Sequence, residues 1–428
     1  MNTTIFFQQA PKLASLAFSA LLLTACGADN SDPATTEIDD ANPSSTLPAL
    51  PSNPEVCTQA TGDTINLDAL LEANCNYLSD YNLFAGADDP TNNPNGRGLQ
   101  YDLNTPLFTD YARKYRFVFI PEGKSATFCD NEVMDFPVGT VLVKTFALPF
   151  DTANPDDGER IIETRLLIHR QSGWEALPYY WENENDARLL ITGLSIPSEI
   201  KHNDNTLSFD YGVPKASQCT ACHSILTDGS KTFLPIGPKA RFLNWDIDYS
   251  DGNGATNQLT KWEDAEILTG TPDINTIATA ATYSDDIDPT TMTTDEVELA
   301  ARSYLDINCA HCHRDGLTLP EGYSGSAGGS GLNIEFNRLM SDQPGKFGVC
   351  KSPLAGGLPT APGELSSHPY DVVPGYASVS YLSYRMNTNN SRHRMPELGR
   401  STIHTEGVAL ISEWIDRMPA NTCNIEGL

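Results

Sequence analysis

Positive charge is scarce in this sequence. Its 428 residues hold 27 Lys and Arg against 56 Asp and Glu, a net charge of −29. Phosphate backbones and anionic lipid surfaces repel so acidic a chain, which excludes nucleic acid as a partner held by charge. Long apolar runs are scarce too. The one that stands out, Leu13 to Leu23, follows Lys12 and is too short to span a bilayer as a mature helix. It has the form of a targeting segment. No later stretch is apolar enough for a membrane span. Residues 27 to about 55 hold few large apolar side chains and are rich in Asp, Asn, Ser, Thr, Pro and Ala. Such a stretch cannot bury enough surface to order itself, and it is expected to act as a flexible tether.

What the sequence does contain, twice, is Cys-x-x-Cys-His: Cys219-Thr220-Ala221-Cys222-His223 and Cys309-Ala310-His311-Cys312-His313. In an exported chain this pattern signals covalent attachment of a c-type haem. Two cysteines three apart share one helical turn, where each sulfur can form a thioether to a haem vinyl group. The histidine that follows lies under the iron as its proximal ligand. Two other chemistries use paired cysteines. A thioredoxin-like dithiol needs a βαβ setting, which neither copy has. A zinc clasp of four cysteines spans a much shorter gap and does not need a histidine beside each pair. The expected cofactors are therefore two covalently bound haem c groups. Cys219, Cys222, Cys309 and Cys312 would hold them, with His223 and His313 on the irons.

Leu23-Thr24-Ala25-Cys26 resembles the bacterial lipobox. The resemblance implies cleavage before Cys26 and acyl chains on its sulfur and new amino group, enough lipid for lasting anchorage in a membrane. Gly27 is not the aspartate of the inner-membrane retention signal, so the expected location is the outer membrane, facing the periplasm or the exterior. The alternative is an ordinary signal peptide with an incidental cysteine. Export places the other cysteines in an oxidising compartment. Setting aside Cys26 and the motif cysteines leaves Cys57, Cys75, Cys129, Cys350 and Cys423. The first pairings to try are Cys57 with Cys75 and Cys350 with Cys423, with Cys129 left free, though spacing does not fix the connectivity.

From about residue 98 to 212 the texture is that of short strands. Lys114 to Ile120, Thr140 to Phe146 and Arg160 to Ile168 are aromatic and β-branched, and turn signals such as Pro121-Glu122-Gly123 and Asp156-Asp157-Gly158 bound them. This spacing predicts a sandwich or barrel-like module. Trp174 and Trp181 in it would serve either a glycan site or core packing. Ahead of it, Ile65 to Tyr81 has helical spacing. After the first motif a helix is expected over Gln258 to Leu268, and Lys239 or Arg241 would pair with a haem propionate or stay solvated. Thr293 and Glu296 have capping-box spacing and open a helix that leads into Cys309. A closing helix is expected from about Thr405 to Met418. Two amphipathic helices bracketing a motif form the layout of a small cytochrome c, with the glycine-rich Gly322 to Gly331 wrapping the haem edge. The expected fold is thus an α+β multidomain chain. A lipoprotein signal peptide (1–25) and tether (26–55) precede an N-terminal helix and β-sandwich-like module (56–210). Two mostly α-helical cytochrome c-like haem segments (211–290 and 291–428) follow.

A thioether opposite histidine makes a low-spin electron-transfer site. Met395, in Arg394-Met395-Pro396-Glu397-Leu398-Gly399, is the candidate sixth ligand of the second haem, with Met386 as runner-up. For the first haem the candidates are His202, Met134, His169, Met292 and Lys239, or an open position. The chain resembles a family of di-haem c-type cytochromes with an N-terminal β-rich module. The matching phrases are Pro106-Leu107-Phe108-Thr109-Asp110-Tyr111, Phe136-Pro137-Val138-Gly139-Thr140, Gln218 to His223, Gly237-Pro238-Lys239-Ala240-Arg241, Asn308 to His313 and Met395-Pro396-Glu397-Leu398-Gly399-Arg400. The resemblance implies haem binding and electron transfer at the cell envelope, with redox partner proteins there and no settled substrate. Three functions stay open: electron carrier, a peroxidase-like or dehydrogenase enzyme with a five-coordinate first haem, and a docking module for a glycan or envelope partner.

Overall fold

Where aromatic and β-branched residues alternate between short turns, the chain forms one large antiparallel sheet. The computed structural model describes residues 47–425, apart from 59, 228–229, 253, 318–322, 355–367 and 421. The signal segment, Cys26 and most of the tether lie outside the described residues. The sheet's strands, in spatial order, are β1 (Leu99–Gln100), β2 (Arg113–Phe119), β4 (Val141–Pro149), β5 (Glu159–Arg170), β6 (Gly173–Tyr180) and β7 (Arg188–Leu189). A smaller strand, β3 (Ala126–Thr127), pairs in parallel with β14 (Leu268–Thr269).

Side chains alternate across the sheet. One face carries Phe117, Phe119, Val141, Val143, Leu166, Ile168, Leu177 and Tyr179, which pack against α1 (Leu67–Glu72) and the Cys57–Cys75 disulfide. The opposite face is banded. At one end Val118 and Leu142 pack with Phe242 of α3 (Ala240–Leu243), Trp262 of α4 (Gln258–Asp264) and Ile307. At the other end Phe146, Leu148 and Tyr180 pack beneath a hairpin of β8 (Leu194–His202) and β9 (Asn205–Val213). Between these apolar bands Lys144 stands opposite Arg116 on one side and Arg165 on the other. The hairpin turns through Asn203 and Asp204, both at positive φ (48° and 60°), the conformation a two-residue turn of matching twist requires.

The expected pair of mostly helical cytochrome c-like segments is not what the chain builds. Strand and helix take nearly equal shares, 25% and 24%. After residue 211 come α2 (Cys219–His223), α3 and α4, of 5, 4 and 7 residues. Short strands separate them: β10 (Ser224–Thr227), β11 (Ser230–Phe233), β12 (Asp246–Asp248) and β13 (Ala255–Asn257). Pro235, Pro238 and the glycines of this stretch cut the helical periodicity before a bundle can form. The apolar residues of α3 and α4 pack together against the large sheet, and α2 buries none of its residues. Among the described residues the β-rich region is likewise no two-sheet sandwich, since a two-stranded hairpin is what packs on the six-stranded sheet at that end.

Two longer helices do form where the sequence predicts them. In α5 (Thr294–Leu305) the Thr293 hydroxyl accepts from the Glu296 amide, and Glu296 accepts from the Thr293 amide at 2.7 Å. Val297, Ala300, Ala301 and Tyr304 of α5 pack against Leu410, Ile411, Trp414 and Ile415 of α7 (Thr405–Asp416). The short α6 (Tyr381–Met386) lies beside them. The Cys350–Cys423 disulfide ties the loop after α5 to the chain beyond α7, and Cys129 is a free thiol.

Candidate functional site

Each Cys-x-x-Cys-His motif sits at the end of an element that orients its histidine. The first follows β9 through a turn at Ala216–Gln218, and α2 is the motif itself. Nδ1 of His223 lies 2.9 Å from the Leu234 carbonyl, and its ring stacks on Phe233 with centroids 5.1 Å apart. Burial pushes the imidazole down to about 3 despite the bond to Leu234. It is therefore neutral, and an Nδ1–H donated to the carbonyl leaves Nε2 as the lone-pair donor, the state a metal ligand needs. The second motif continues α5 through a π-helical turn, Asp306–Ala310. Nδ1 of His313 lies 3.3 Å from both the Leu332 carbonyl and the Ser330 hydroxyl, and burial again holds the ring below its ordinary value.

Sheet pairing brings the motifs together. The strand after His223, β10, pairs with β11 and also with β15 (Tyr323–Gly325), which folds back onto the second motif. Cys312 Sγ donates to the Ala221 carbonyl at 3.5 Å, and Ser326 Oγ donates to the same oxygen at 3.0 Å. The sulfurs of Cys222 and Cys312 and a ring nitrogen of His311 all lie within 4.8 Å of one another. Glycine is required here: a Cβ on Gly325 would fall inside the Cys312 carbonyl, and one on Gly328 inside the Arg314 carbonyl. The predicted glycine-rich wrap is thus packed on the motif's backbone, with the Ala327 amide donating to the Cys312 carbonyl at 3.0 Å.

A cavity of about 390 Å³ opens beside the second motif. Cys222, Cys309, Cys312 and His313 line one part of it, and Met386, Met395, Leu382, Phe108, Tyr304 and His404 are among the residues that line the rest, with the charged Asp371, Arg385, Glu397 and Arg400. The loop bearing Met395 is held by buried Arg400. Its guanidinium donates to the carbonyls of Met395, Arg385, Met386, Thr388 and Thr402 and to the side chain of Asn389. Asp110 pins the next residues, accepting from the amides of Ser401 and Thr402 at 2.7 Å each. Beyond Met395, the Tyr304 hydroxyl meets His404 Nδ1 at 2.9 Å, and His404 Nε2 meets Asp285 at 2.8 Å, with Phe108 stacked on the imidazole.

These residues fit a haem. The volume lies within the range of apolar ligand pockets, roughly 300–1,000 Å³. Thiols stand at one wall, a neutral histidine presents Nε2, and two thioethers share the same space. Met395 and its runner-up Met386 both line the cavity, so the geometry joins His313 with either.

The other sequence candidates go elsewhere. His202 bonds Thr152 and Glu406, His169 stacks on Trp174 with Nδ1 against the Phe136 carbonyl, and Met134 is buried in the core beside the sheet. Met292 packs against the α5–α7 cluster. Lys239 and Arg241 are neither solvated nor free for a propionate. Both bond buried Asp306 at 3.1 Å, and although burial alone would raise that carboxyl, the two cations hold it below its ordinary value. Trp181 is 3% exposed and donates to Thr164, which takes it out of a glycan site, while Trp174 is half-buried and packs on Phe136 at the edge of the core. Missed in the sequence were the roles of Arg400 and Asp110, although both lie in matching phrases, and the His404–Asp285 pair, which no local spacing marks. Comparison of the chain with protein families, with curated proteins and with solved structures finds no match.

Proposed function

We propose that this chain is a di-haem c-type electron-transfer protein of the cell envelope. One observation carries the proposal: two complete attachment motifs, far apart in sequence, are folded into contact, with the sulfurs of Cys222 and Cys312 within 4.8 Å. When bound, each haem supplies a one-electron ferrous–ferric couple. The chain's own part is attachment through four cysteines, orientation of His223 and His313 through their Nδ1 bonds, and exclusion of water by Phe108, Leu382 and Val408 around the second site. Met395, on the loop fixed by Arg400, would help hold the second haem together with His313, and a thioether ligand would raise its potential. The lipobox resemblance at Cys26 supports anchorage in the outer membrane, with redox proteins of the envelope as partners. Redox titration followed in the visible should resolve two one-electron components. A reduced protein with no α-band would refute the proposal.

A second reading rests on the first motif. Among the described residues the expected histidine and methionine candidates are engaged away from His223. An open sixth position there would favour peroxidase-like chemistry. A high-spin ferric signal together with peroxide turnover would select this reading, and a wholly low-spin resting protein would reject it.

A further inference from the structure

The large sheet presents a row of three cations on the face turned toward the first motif. Arg116 of β2, Lys144 of β4 and Arg165 of β5 stand directly opposite one another across the strands. Like charges in such positions repel. Two of the three are neutralised. Arg116 pairs with Asp102, and Arg165 forks onto buried Glu163 at 2.5 and 2.9 Å while Tyr211 donates to the same carboxylate at 2.7 Å. Lys144 is not. Among the described residues its ammonium has no hydrogen-bond acceptor, and it lies 4.9 Å from the centre of the Phe146 ring. A lysine half-buried between two arginines and without an acceptor is poorly solvated, and a bound anion would remove that cost.

The row also faces the right place. Lys144 and Arg165 are among the charges that act on His223, and Arg165 and Glu163 act on Cys219. The first motif's flanking elements, the Ala216–Gln218 turn and β11, pack against β6, the next strand beyond Arg165. Lys239 and Arg241, the cations expected from sequence to meet a propionate, are both committed to Asp306. Lys215 and Lys231 beside the motif also have no carboxylate partner among the described residues, but both are exposed to water, so Lys144 is the half-buried cation there whose charge has no acceptor.

We infer that the Arg116–Lys144–Arg165 row is the carboxylate receptor of the first site, with Lys144 taking a propionate of the haem carried by Cys219 and Cys222. This inference rests on the proposed di-haem function and deepens it. It makes Lys144 a positioning residue: its charge offsets the propionate and so favours the reduced state of the first couple.

The test uses the full-length, haem-loaded protein and its Lys144→Gln and Lys144→Arg variants. Haem content is read by intact mass, coordination by the visible spectrum, and the two midpoint potentials by redox titration. The expected result is that Lys144→Gln lowers one midpoint only, leaves two haems and an unchanged low-spin spectrum, and that Lys144→Arg restores the midpoint. Two unmoved potentials in a fully loaded Lys144→Gln protein would overturn the inference. So would loss of one low-spin component, which would make Lys144 an iron ligand instead. A wild-type midpoint that moves with added acetate while that of Lys144→Gln does not would overturn it as well, since a free anion would then be the occupant. A wild-type protein that carries no haem would refute the parent proposal, a result distinct from all of these.

Discussion

Single side chains decide whether the second site works. Met395 reaches the cavity only because Arg400 bonds the carbonyls around it. Arg400→Ala would leave several buried carbonyls unpaired, and each costs about 1–3 kcal/mol. The expected outcome is a stability loss of roughly 3 kcal/mol or more in denaturant unfolding, together with a loss of methionine ligation in the oxidised visible spectrum. Met395→Ala should abolish the ligation while leaving the unfolding midpoint nearly unchanged, and the titration should show one potential falling. If Met395→Ala leaves both potentials in place and Met386→Ala does not, the ligand is Met386. Asp306 gives a pH-dependent counterpart. Its folded value is held below the ordinary aspartate value by Lys239 and Arg241. Its contribution is therefore complete above the unfolded value of about 3.9 and is lost as the pH falls through the lower folded value. Asp306→Asn leaves two buried cations unpaired and should cost about 3–5 kcal/mol at neutral pH. In that variant the part of the acid-induced stability loss due to this residue should disappear.

At the scale of elements, close approach of backbones sets the geometry. In α7, Gly407 lies where a Cβ would be 2.5 Å from the Tyr304 hydroxyl and 2.6 Å from His404 Nδ1. Gly407→Ala should therefore push α7 off α5 and break the Tyr304–His404 bond, at a cost of about 1–3 kcal/mol in unfolding. The Cys57–Cys75 bridge closes a loop of 18 residues over α1. Its reduction should cost about 3 kcal/mol, measurable as a shift in the denaturant midpoint. Much of this level was legible in the residues. The strands around Phe117, Val143 and Leu166, the capping box at Thr293 and the closing helix follow from local pattern, whereas the two disulfide pairings are the first to try and only the structure fixes them. Other features were not legible. The helix expected over Ile65 to Tyr81 stops at Glu72, because Cys75 must turn back toward Cys57. The β8–β9 hairpin is marked in the sequence by Asn203-Asp204 alone, a signal two residues long and too weak to fix a hairpin. The segment after the first motif reads as weakly helical because its apolar residues are spaced for contact with the sheet, and a one-dimensional pattern does not name its partner. Arg400 and Asp110 act on residues near and far in sequence alike, so their phrases mark them without saying what they hold.

Across the whole molecule the two motifs are separate in sequence and adjacent in space, joined through β10, β15 and the Ala221 carbonyl. On the proposed reading, that adjacency would place the first site beside the Met395 cavity, close enough for electrons to pass between the two haems. The net charge of −29 adds a kinetic expectation. Association with a basic redox partner should be fast at low salt and slow markedly as ionic strength shortens the Debye length to about 10 Å near 0.1 M. The same adjacency has a rival chemistry, since Cys222, Cys312 and His311 could clasp a soft metal, or the two cysteines could oxidise to a disulfide. Intact and peptide mass spectrometry, on protein matured in a host that performs thioether ligation of haem, separates these most directly. The account predicts two added haem groups, one on the peptide with Cys219 and Cys222 and one on the peptide with Cys309 and Cys312. A mass equal to the bare polypeptide, or a cross-link between Cys222 and Cys312, would contradict it.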